Sequence, residues 1–390
     1  MALDLYSARG TPVELQYLNW HDMVRSPISK LDDDAFTRVR IVLMSGLEDQ
    51  ALHLGHGAAH AGGELREGLA RVRRIELHQG IAVRSLLGAD HSPLELALAH
   101  KQCAIEVGAA LAQREPEETI ARALRFVLLE DLDHLYRFAA LLDRVEGKDA
   151  NNILQSYTDI LPSRPSILQH RAPHDDLLVP YDCSGVRAQS RLHVLCMLAG
   201  ASQMRDVFAH AGGAQADPVV RQLLAEIASI EEQHATHFES LIDPRETWLE
   251  RWLLHEAAEA WCYHACVQHE SESRIKALWE QMLDYEIGQF HFVAGLLRTQ
   301  QGQDPQRLVP RELPEAIPFG SQREFVRKVL REERELSVAS QRYVPRSQES
   351  QATRDYRAQV DAEGSPSEAV AAGYTWSPGT ELARLHPANA

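Results

Sequence analysis

The residues best suited to chemistry in this chain are acids and histidines spaced three apart within long helical stretches. Glu231 and His234 form a Glu-x-x-His motif. Residues three apart on a helix lie on the same face, so a carboxylate and an imidazole can converge on one ion. A four-helix bundle can hold two metal ions with one Glu from each of two helices and one Glu-x-x-His from each of the other two. The motif therefore predicts a metal site inside a helical bundle.

Three further pairs have the same spacing: Glu76-x-x-Gln79, Asp131-x-x-His134 and Glu286-x-x-Gln289. All of them keep an acid at the first position, while only the pair that begins at Asp131 keeps an imidazole. The acids are therefore a stronger signal for a site than the nineteen histidines of the composition.

These pairs belong to an internal repeat with an offset of 155 residues. The offset relates many positions without a gap, including Glu76 and Glu231, Glu95 and Glu250, His100 and His255, and Asp131 and Glu286. Apolar residues recur at three- and four-residue steps, which is the helical period. The first copy contains four such stretches, at 36–54, 64–87, 93–113 and 116–142. A constant register across three turns predicts two homologous units.

The predicted fold is all-α, with two tandem antiparallel four-helix bundles at 32–145 and 187–300. A segment at 1–31 precedes them, and a linker rich in Pro and His at 146–186 joins them. The polar arm at 301–390 is predicted to contain short helices. Within the arm, 321–343 reads as one charged helix, and Ser365-Pro366 reads as the cap of a last short helix.

Antiparallel geometry suggests which ligands meet in each repeat. In the second repeat, Glu256 and Glu286 lie about equally far from the turn between the third and fourth helices. They are expected to join Glu231 and His234, with Glu259 one turn away. The first repeat is expected to group Glu48, Glu76, Asp131 and His134 at a weaker site. Lys101 and Gln203 stand where two further carboxylates are expected, and Lys101 can replace a cation by pairing with Glu76 or Glu48.

Composition limits the classes of partner. Fifty-six acids against forty Lys and Arg give 390 residues a net charge of -16, which repels nucleic acid and anionic membranes. No apolar run approaches the ~20 residues that a membrane helix needs. Five cysteines without a paired framework indicate a reducing, cytoplasmic environment. A homo-oligomer is compatible with these features.

The sequence resembles the ferritin-like superfamily, specifically rubrerythrin-type di-iron carboxylate proteins. The stretches that carry the resemblance are Glu-Ile-Ala-Ser-Ile-Glu-Glu-Gln-His at 226–234, His-Glu-Ala-Ala-Glu at 255–259, and the helix from Trp279 to Glu286. The linker around Tyr157 to Pro165 is similar to that of bacterial proteins with two such bundles. The resemblance implies iron, or manganese, and a reaction with dioxygen or peroxide. The rubredoxin module is absent because the chain has no Cys-x-x-Cys, so an external electron donor is implied.

Two functions remain open from the sequence. One is a metal-dependent oxidoreductase, an oxidase, peroxidase or oxygenase of the di-iron carboxylate type. The alternative is a metal-free helical scaffold or binding protein with degenerate ligand sites. Cys262 and Cys266 lie four apart on one helix face, and are interpreted either as small core residues or as a soft-metal or redox pair.

Overall fold

The computed structural model describes residues 3–57, 65–88 and 90–378. The prediction of an all-α protein is confirmed, with about thirteen helices and a single small β-hairpin among these residues. The turn expected between the stretches at 36–54 and 64–87 falls largely on 58–64, outside the described residues. None of the described helices combines the length and apolar character needed to cross a membrane.

Eight long helices form two sets of four. The first set is α2 (Ala35–Gly57), α3 (Leu65–Arg84), α4 (Pro93–Arg114) and α5 (Glu118–Glu146); the second is α7 (Ala188–Ala214), α8 (Pro218–Glu239), α9 (Trp248–His269) and α10 (Ser273–Leu296). The short helices are α1 (Trp20–Met23), α6 (Asn151–Leu154), α11 (Arg323–Glu333), α12 (Gln351–Val360) and α13 (Pro366–Ala371). The four helices predicted for each repeat are confirmed.

The offset of 155 also relates the helix ends. Helix α4 begins at Pro93 and α9 at Trp248, and each follows a capping box, in which Ser92 and Thr247 accept hydrogen bonds from the backbone of Glu95 and Glu250. Because such caps satisfy backbone groups that the first turn leaves free, they fix where a helix starts. The sequence repeat therefore corresponds to a repeat of helix starts and caps in the structure.

The long helices pack as pairs, α2 with α3, α4 with α5, α7 with α8 and α9 with α10. The pairs of the two repeats then pack across one another: α2 contacts α9, while α4 contacts α7 and α5 contacts α8. Helices α2 and α7 also meet at the centre of the molecule. Side chains of both repeats therefore share the same interior regions.

The N-terminal segment crosses α10 in close backbone contact. The amide of Thr11 donates to the carbonyl of Asp284, and the side-chain amide of Gln16 donates to the carbonyl of Tyr285 at 2.8 Å. A Cβ atom on Gly288 would lie 1.8 Å from the carbonyl oxygen of Thr11. Only glycine permits this crossing, because any side chain would occupy the space of the segment.

The C-terminal arm differs from its prediction. The prediction of a single helix at 321–343 is wrong beyond Glu333, where α11 ends. Strands β1 (Leu336–Ala339) and β2 (Arg342–Pro345) follow it and pair antiparallel. Ser340 and Gln341 between them both have positive φ, which suits a two-residue hairpin turn. The predicted short helix after Ser365 is confirmed as α13.

Candidate metal centres

Five buried glutamates from four helices form one cluster, called the carboxylate cluster here. Its members are Glu48 on α2, Glu76 on α3, Glu256 and Glu259 on α9, and Glu286 on α10. Oxygens of the last four lie within 4.8 Å of one another. Glu48 is tied to them through the side-chain amide of Gln79, which donates to Glu286 and, at 3.4 Å, to Glu48. The cluster thus combines the first two helices of one repeat with the last two of the other.

The predicted grouping of ligands within each repeat is therefore wrong. Glu231 and His234 do not meet Glu256 and Glu286, but lie instead with Lys101, Asp131 and His134. These five residues are called the ion-pair cluster. The sequence argument assumed that four consecutive helices enclose one site. Because helix pairs of one repeat pack against helix pairs of the other, each cluster takes residues from both repeats.

The carboxylate cluster lacks a compensating cation. Both oxygens of Glu76 and Glu259, and one oxygen each of Glu48, Glu256 and Glu286, are buried without a hydrogen-bond partner. Among the described residues, no Lys or Arg forms an ion pair with any of the five. The nearest basic group is His255, whose Nε2 lies 3.5 Å from Glu259 Oε2. Buried carboxylates without partners are costly unless they are protonated or bind cations.

Burial and mutual repulsion favour the protonated form of these acids when no cation is present. Burial raises the pKa of Glu48 to about 7 and that of Glu256 to about 8. The pKa values of Glu76, Glu259 and Glu286 lie well above the usual range, first because of burial and then because of neighbouring carboxylates. Binding of a cation would therefore release protons from these carboxyl groups.

Two amides occupy the positions where the bundle motif has imidazoles. Gln289 Nε2 donates to Gln79 Oε1 at 3.0 Å, and Gln289 Oε1 has no hydrogen-bond partner. Apart from the imidazole of His255 beside Glu259, the donor atoms described here therefore come from carboxylates and amides. Such a set is suited to hard cations rather than soft ones.

Two residues of this site were missed by the sequence argument. The hydroxyl of Tyr263 donates to Glu48 Oε1, and Trp252 Nε1 donates to Glu256 Oε1. Trp252, Glu256, Glu259 and Tyr263 follow one another at steps of three or four residues on α9. This spacing places them on one helix face, and was the signal that could have identified both residues.

The ion-pair cluster is neutralised from within. Lys101 Nζ lies 2.8 Å from Asp131 Oδ1 and also contacts Glu231 Oε1. Although burial lowers the pKa of Lys101, Asp131 and Glu231 raise it above its usual value, so the ammonium group stays charged. The group contacts both acids at once. A lysine thus supplies the positive charge that the carboxylate cluster lacks.

The two histidines of the ion-pair cluster are engaged in protein contacts. His134 Nε2 lies 2.6 Å from Gln169 Oε1, and His234 Nε2 lies 2.8 Å from Glu130 Oε2. Burial lowers the pKa of His234, but Glu231 and Glu130 more than compensate and raise it to about 9. The Nδ1 atoms of both rings face Glu231, at 3.3 Å for His134 and 3.4 Å for His234, and a contact at Nε2 is compatible with metal binding at Nδ1. The charge of Lys101, rather than these contacts, distinguishes this cluster from the carboxylate cluster.

Glu130 and Gln169 were also missed. Glu130 lies beside the predicted ligand Asp131, and Arg171 Nη1 of the linker lies 2.7 Å from its carboxylate. Linker residues carried no repeat or spacing signal, because the linker has no counterpart in the second repeat. Gln203, which replaces a helix-one carboxylate, turns away: its amide fits between Val42 O at 3.1 Å and Gly46 N at 3.3 Å.

A cavity of about 410 Å³ lies beside the carboxylate cluster. Trp248, Leu254 and His255 of α9 line it, together with apolar side chains of α7. The ring of Trp248 packs 5.0 Å from that of Trp252, which bonds Glu256, and His255 contacts Glu259. Side chains of α9 therefore lie between the cavity and the carboxylate cluster.

Comparison with known proteins identifies no relative: no protein-family model, no curated protein and no solved structure matches this chain. What can be stated from the geometry is a largely helical chain with paired antiparallel helices and buried carboxylate and histidine clusters that could hold metal.

Proposed function

We propose that the carboxylate cluster binds one or two divalent metal ions and that the protein is a metal-dependent oxidoreductase acting on peroxide or dioxygen. The observation that carries the proposal is the set of five buried carboxylates with unpaired oxygens, for which His255 is the one ion-pair partner among the described residues. Two divalent cations would neutralise four of these five charges. A bound metal of this kind would supply a redox centre that passes electrons to small oxidants.

The donor set favours manganese over iron. Carboxylate and amide oxygens suit Mn²⁺, whereas imidazole is the ligand that helps to select iron, and both imidazole positions hold glutamine in this cluster. We therefore take manganese as the first candidate and iron as the second. Glu76, Glu256, Glu259 and Glu286 would hold the ions, with Glu48 at one side.

The proposal places a ferritin-like arrangement across the repeats. Helices α2 and α3 with α9 and α10 would form the metal-binding bundle, and α4 and α5 with α7 and α8 would form the other. The contacts of α2 with α9, and of α4 with α7, support this arrangement. The sequential units at 32–145 and 187–300 then remain repeats of sequence, each contributing half of both bundles.

The alternative of a metal-free scaffold applies better to the ion-pair cluster. Lys101 already neutralises Asp131 and Glu231 there, and His134 and His234 contact protein groups. We infer that this second cluster is structural, so that the chain carries one metal centre. An external electron donor is part of this proposal.

Equilibrium dialysis of metal-free protein against Mn²⁺, read by elemental analysis and by electron paramagnetic resonance, tests the function. We expect up to about two ions per chain at a site of this type. Glu76→Gln should weaken binding by about tenfold or more, as removal of a ligand does. Affinity should rise from pH 6 to 8, because the ions displace protons from Glu48 and Glu256, whose pKa values are about 7 and 8.

The matched control is Glu67→Gln, since Glu67 lies on the same helix α3 with its side chain exposed. It should bind Mn²⁺ as the wild type does. Less than about 0.2 ions per chain in the wild type, after loading with either manganese or iron, would reject the metal site and favour the scaffold.

A further inference from the structure

Two buried thiols from different repeats lie against each other beside the carboxylate cluster. Cys196 Sγ on α7 lies 3.5 Å from Cys262 Sγ on α9. Both side chains are buried, and all five cysteines of the chain are free. The sequence pointed to Cys266 as the nearest thiol to Cys262, whereas the structure places Cys196 in contact with it.

This pair is adjacent to the proposed metal ligands. Cys262 follows Glu259 by three residues on α9, and the carboxylate of Glu259 interacts electrostatically with both thiols. A two-electron donor at this position would lie next to the site where an oxidant is proposed to react.

The internal repeat provides a comparison within the same molecule. Subtracting 155 from Cys196 and Cys262 gives Ile41 and Val107, which are both buried on α2 and α4. The equivalent position beside the ion-pair cluster therefore holds two hydrocarbon side chains. The two positions hold thiols beside the carboxylate cluster and hydrocarbon side chains beside the ion-pair cluster.

The two sulfurs are close enough to bond after a small movement. A disulfide requires about 2.05 Å between the sulfurs, so closure needs an approach of roughly 1.5 Å. Closure would link α7 covalently to α9, the helix that carries Glu256 and Glu259.

Direct oxidation from solution is disfavoured at this pair. Burial raises the pKa of the Cys262 thiol well above its usual value, and the neighbouring Cys196 adds to the effect. Because the thiolate is the reactive form, dissolved peroxide reacts slowly with protonated, buried thiols. Fast oxidation would therefore require an electron acceptor inside the protein.

We propose that Cys196 and Cys262 form a redox dithiol that closes to a disulfide and supplies two electrons to hydrogen peroxide at the carboxylate cluster. This inference rests on the proposed metal site. The sulfur–sulfur bond forms as two S–H bonds break, which releases two electrons and two protons. Peroxide accepts both electrons and both protons, its O–O bond breaks, and two water molecules leave. External reductants need then only reopen the disulfide.

The test uses the full-length reduced protein with and without Mn²⁺. After exposure to hydrogen peroxide, the protein is denatured, alkylated with iodoacetamide and weighed by mass spectrometry, and the linked peptide is identified. We expect three alkylated cysteines in place of five, with a bond between Cys196 and Cys262. Closure should be about tenfold faster or more with bound Mn²⁺, which corresponds to about 1.4 kcal/mol in the barrier. Cys196→Ser should abolish the bond, while Cys103→Ser and Cys266→Ser should retain it.

Diamide, a thiol oxidant that needs no metal, separates this inference from the proposed function. In metal-free protein, diamide should also close the bond, even if no metal binds, but only slowly and over a long incubation, because local opening must first expose the buried thiols. Five alkylated cysteines after both oxidants, or a bond to another cysteine, would overturn the dithiol. Equal rates of closure by peroxide with and without bound Mn²⁺ would overturn its role as electron donor to the metal site.

Discussion

One of the positions at which the two clusters differ sets their charge. Glu256 stands in one repeat where Lys101 stands in the other, and each is fully buried among acids. With lysine, Asp131 and Glu231 form ion pairs; with glutamate, burial raises the pKa of Glu256 to about 8 and the acids have no such cation beside them. In the proposed function, this difference favours binding of a divalent cation at the carboxylate cluster.

Substitution of Lys101 tests whether this residue neutralises Asp131 and Glu231. Lys101→Met leaves Asp131 and Glu231 buried without their cation, so we expect the free energy of unfolding to fall by about 3–5 kcal/mol. Urea denaturation measures it. The control Lys328→Met, at an exposed position, should change stability by less than about 0.5 kcal/mol. A Lys101→Met variant as stable as this control would contradict the assignment.

The sequence identified most residues of both clusters but misassigned their partners. All nine predicted ligands are buried in one of the two clusters. Spacing along one helix is a local property, so it predicted the pairs at Glu231 and Asp131. The choice between neighbouring helices depends on packing of whole helix pairs, for which no local signal exists. Lys101 was correctly predicted to replace a cation, but beside Asp131 and Glu231 rather than Glu76 or Glu48.

At the scale of elements, α9 contributes residues both to the carboxylate cluster and to the neighbouring cavity. One of its faces carries Glu256 and Glu259 into the carboxylate cluster, while Trp248 and His255 line the adjacent cavity. Its partner α10 presents Glu286 from a turn that the N-terminal segment covers at Gly288. The positions of these helices were predictable from the repeat, whereas the covering segment was not, because it lies outside the repeat.

The close crossing at Gly288 gives a prediction for this element. Gly288→Ala places a Cβ atom against the carbonyl of Thr11, so the N-terminal segment should move away from α10. We expect a loss of about 1–3 kcal/mol, as in other overpacked sites, and faster proteolysis before residue 20. Gly295→Ala on the same helix meets no atom within 4 Å and should be neutral or slightly stabilising. Equal proteolysis of the two variants would contradict the crossing.

At the scale of the molecule, neither repeat contains a complete cluster. The carboxylate cluster takes Glu48 and Glu76 from the first repeat and Glu256, Glu259 and Glu286 from the second. Fragments 1–186 and 187–390 should therefore fail to bind Mn²⁺ when each is purified alone. Co-expression of the two fragments should restore binding, as elemental analysis of the copurified pair would show. Full Mn²⁺ affinity in fragment 187–390 alone would contradict the shared site.

The shared construction of the clusters also determines how freely they can differ. Two identical copies, associating as a symmetric dimer, would necessarily produce two identical centres, since each centre would draw the same halves from both copies. Covalent fusion removes this constraint, because every position of either copy then belongs to one centre alone. Lysine at 101 and glutamate at 256 are alternatives that a symmetric dimer could never hold together. Duplication within one chain thus permits division of labour, in which one centre stabilises the interior and its twin is released to evolve reactivity.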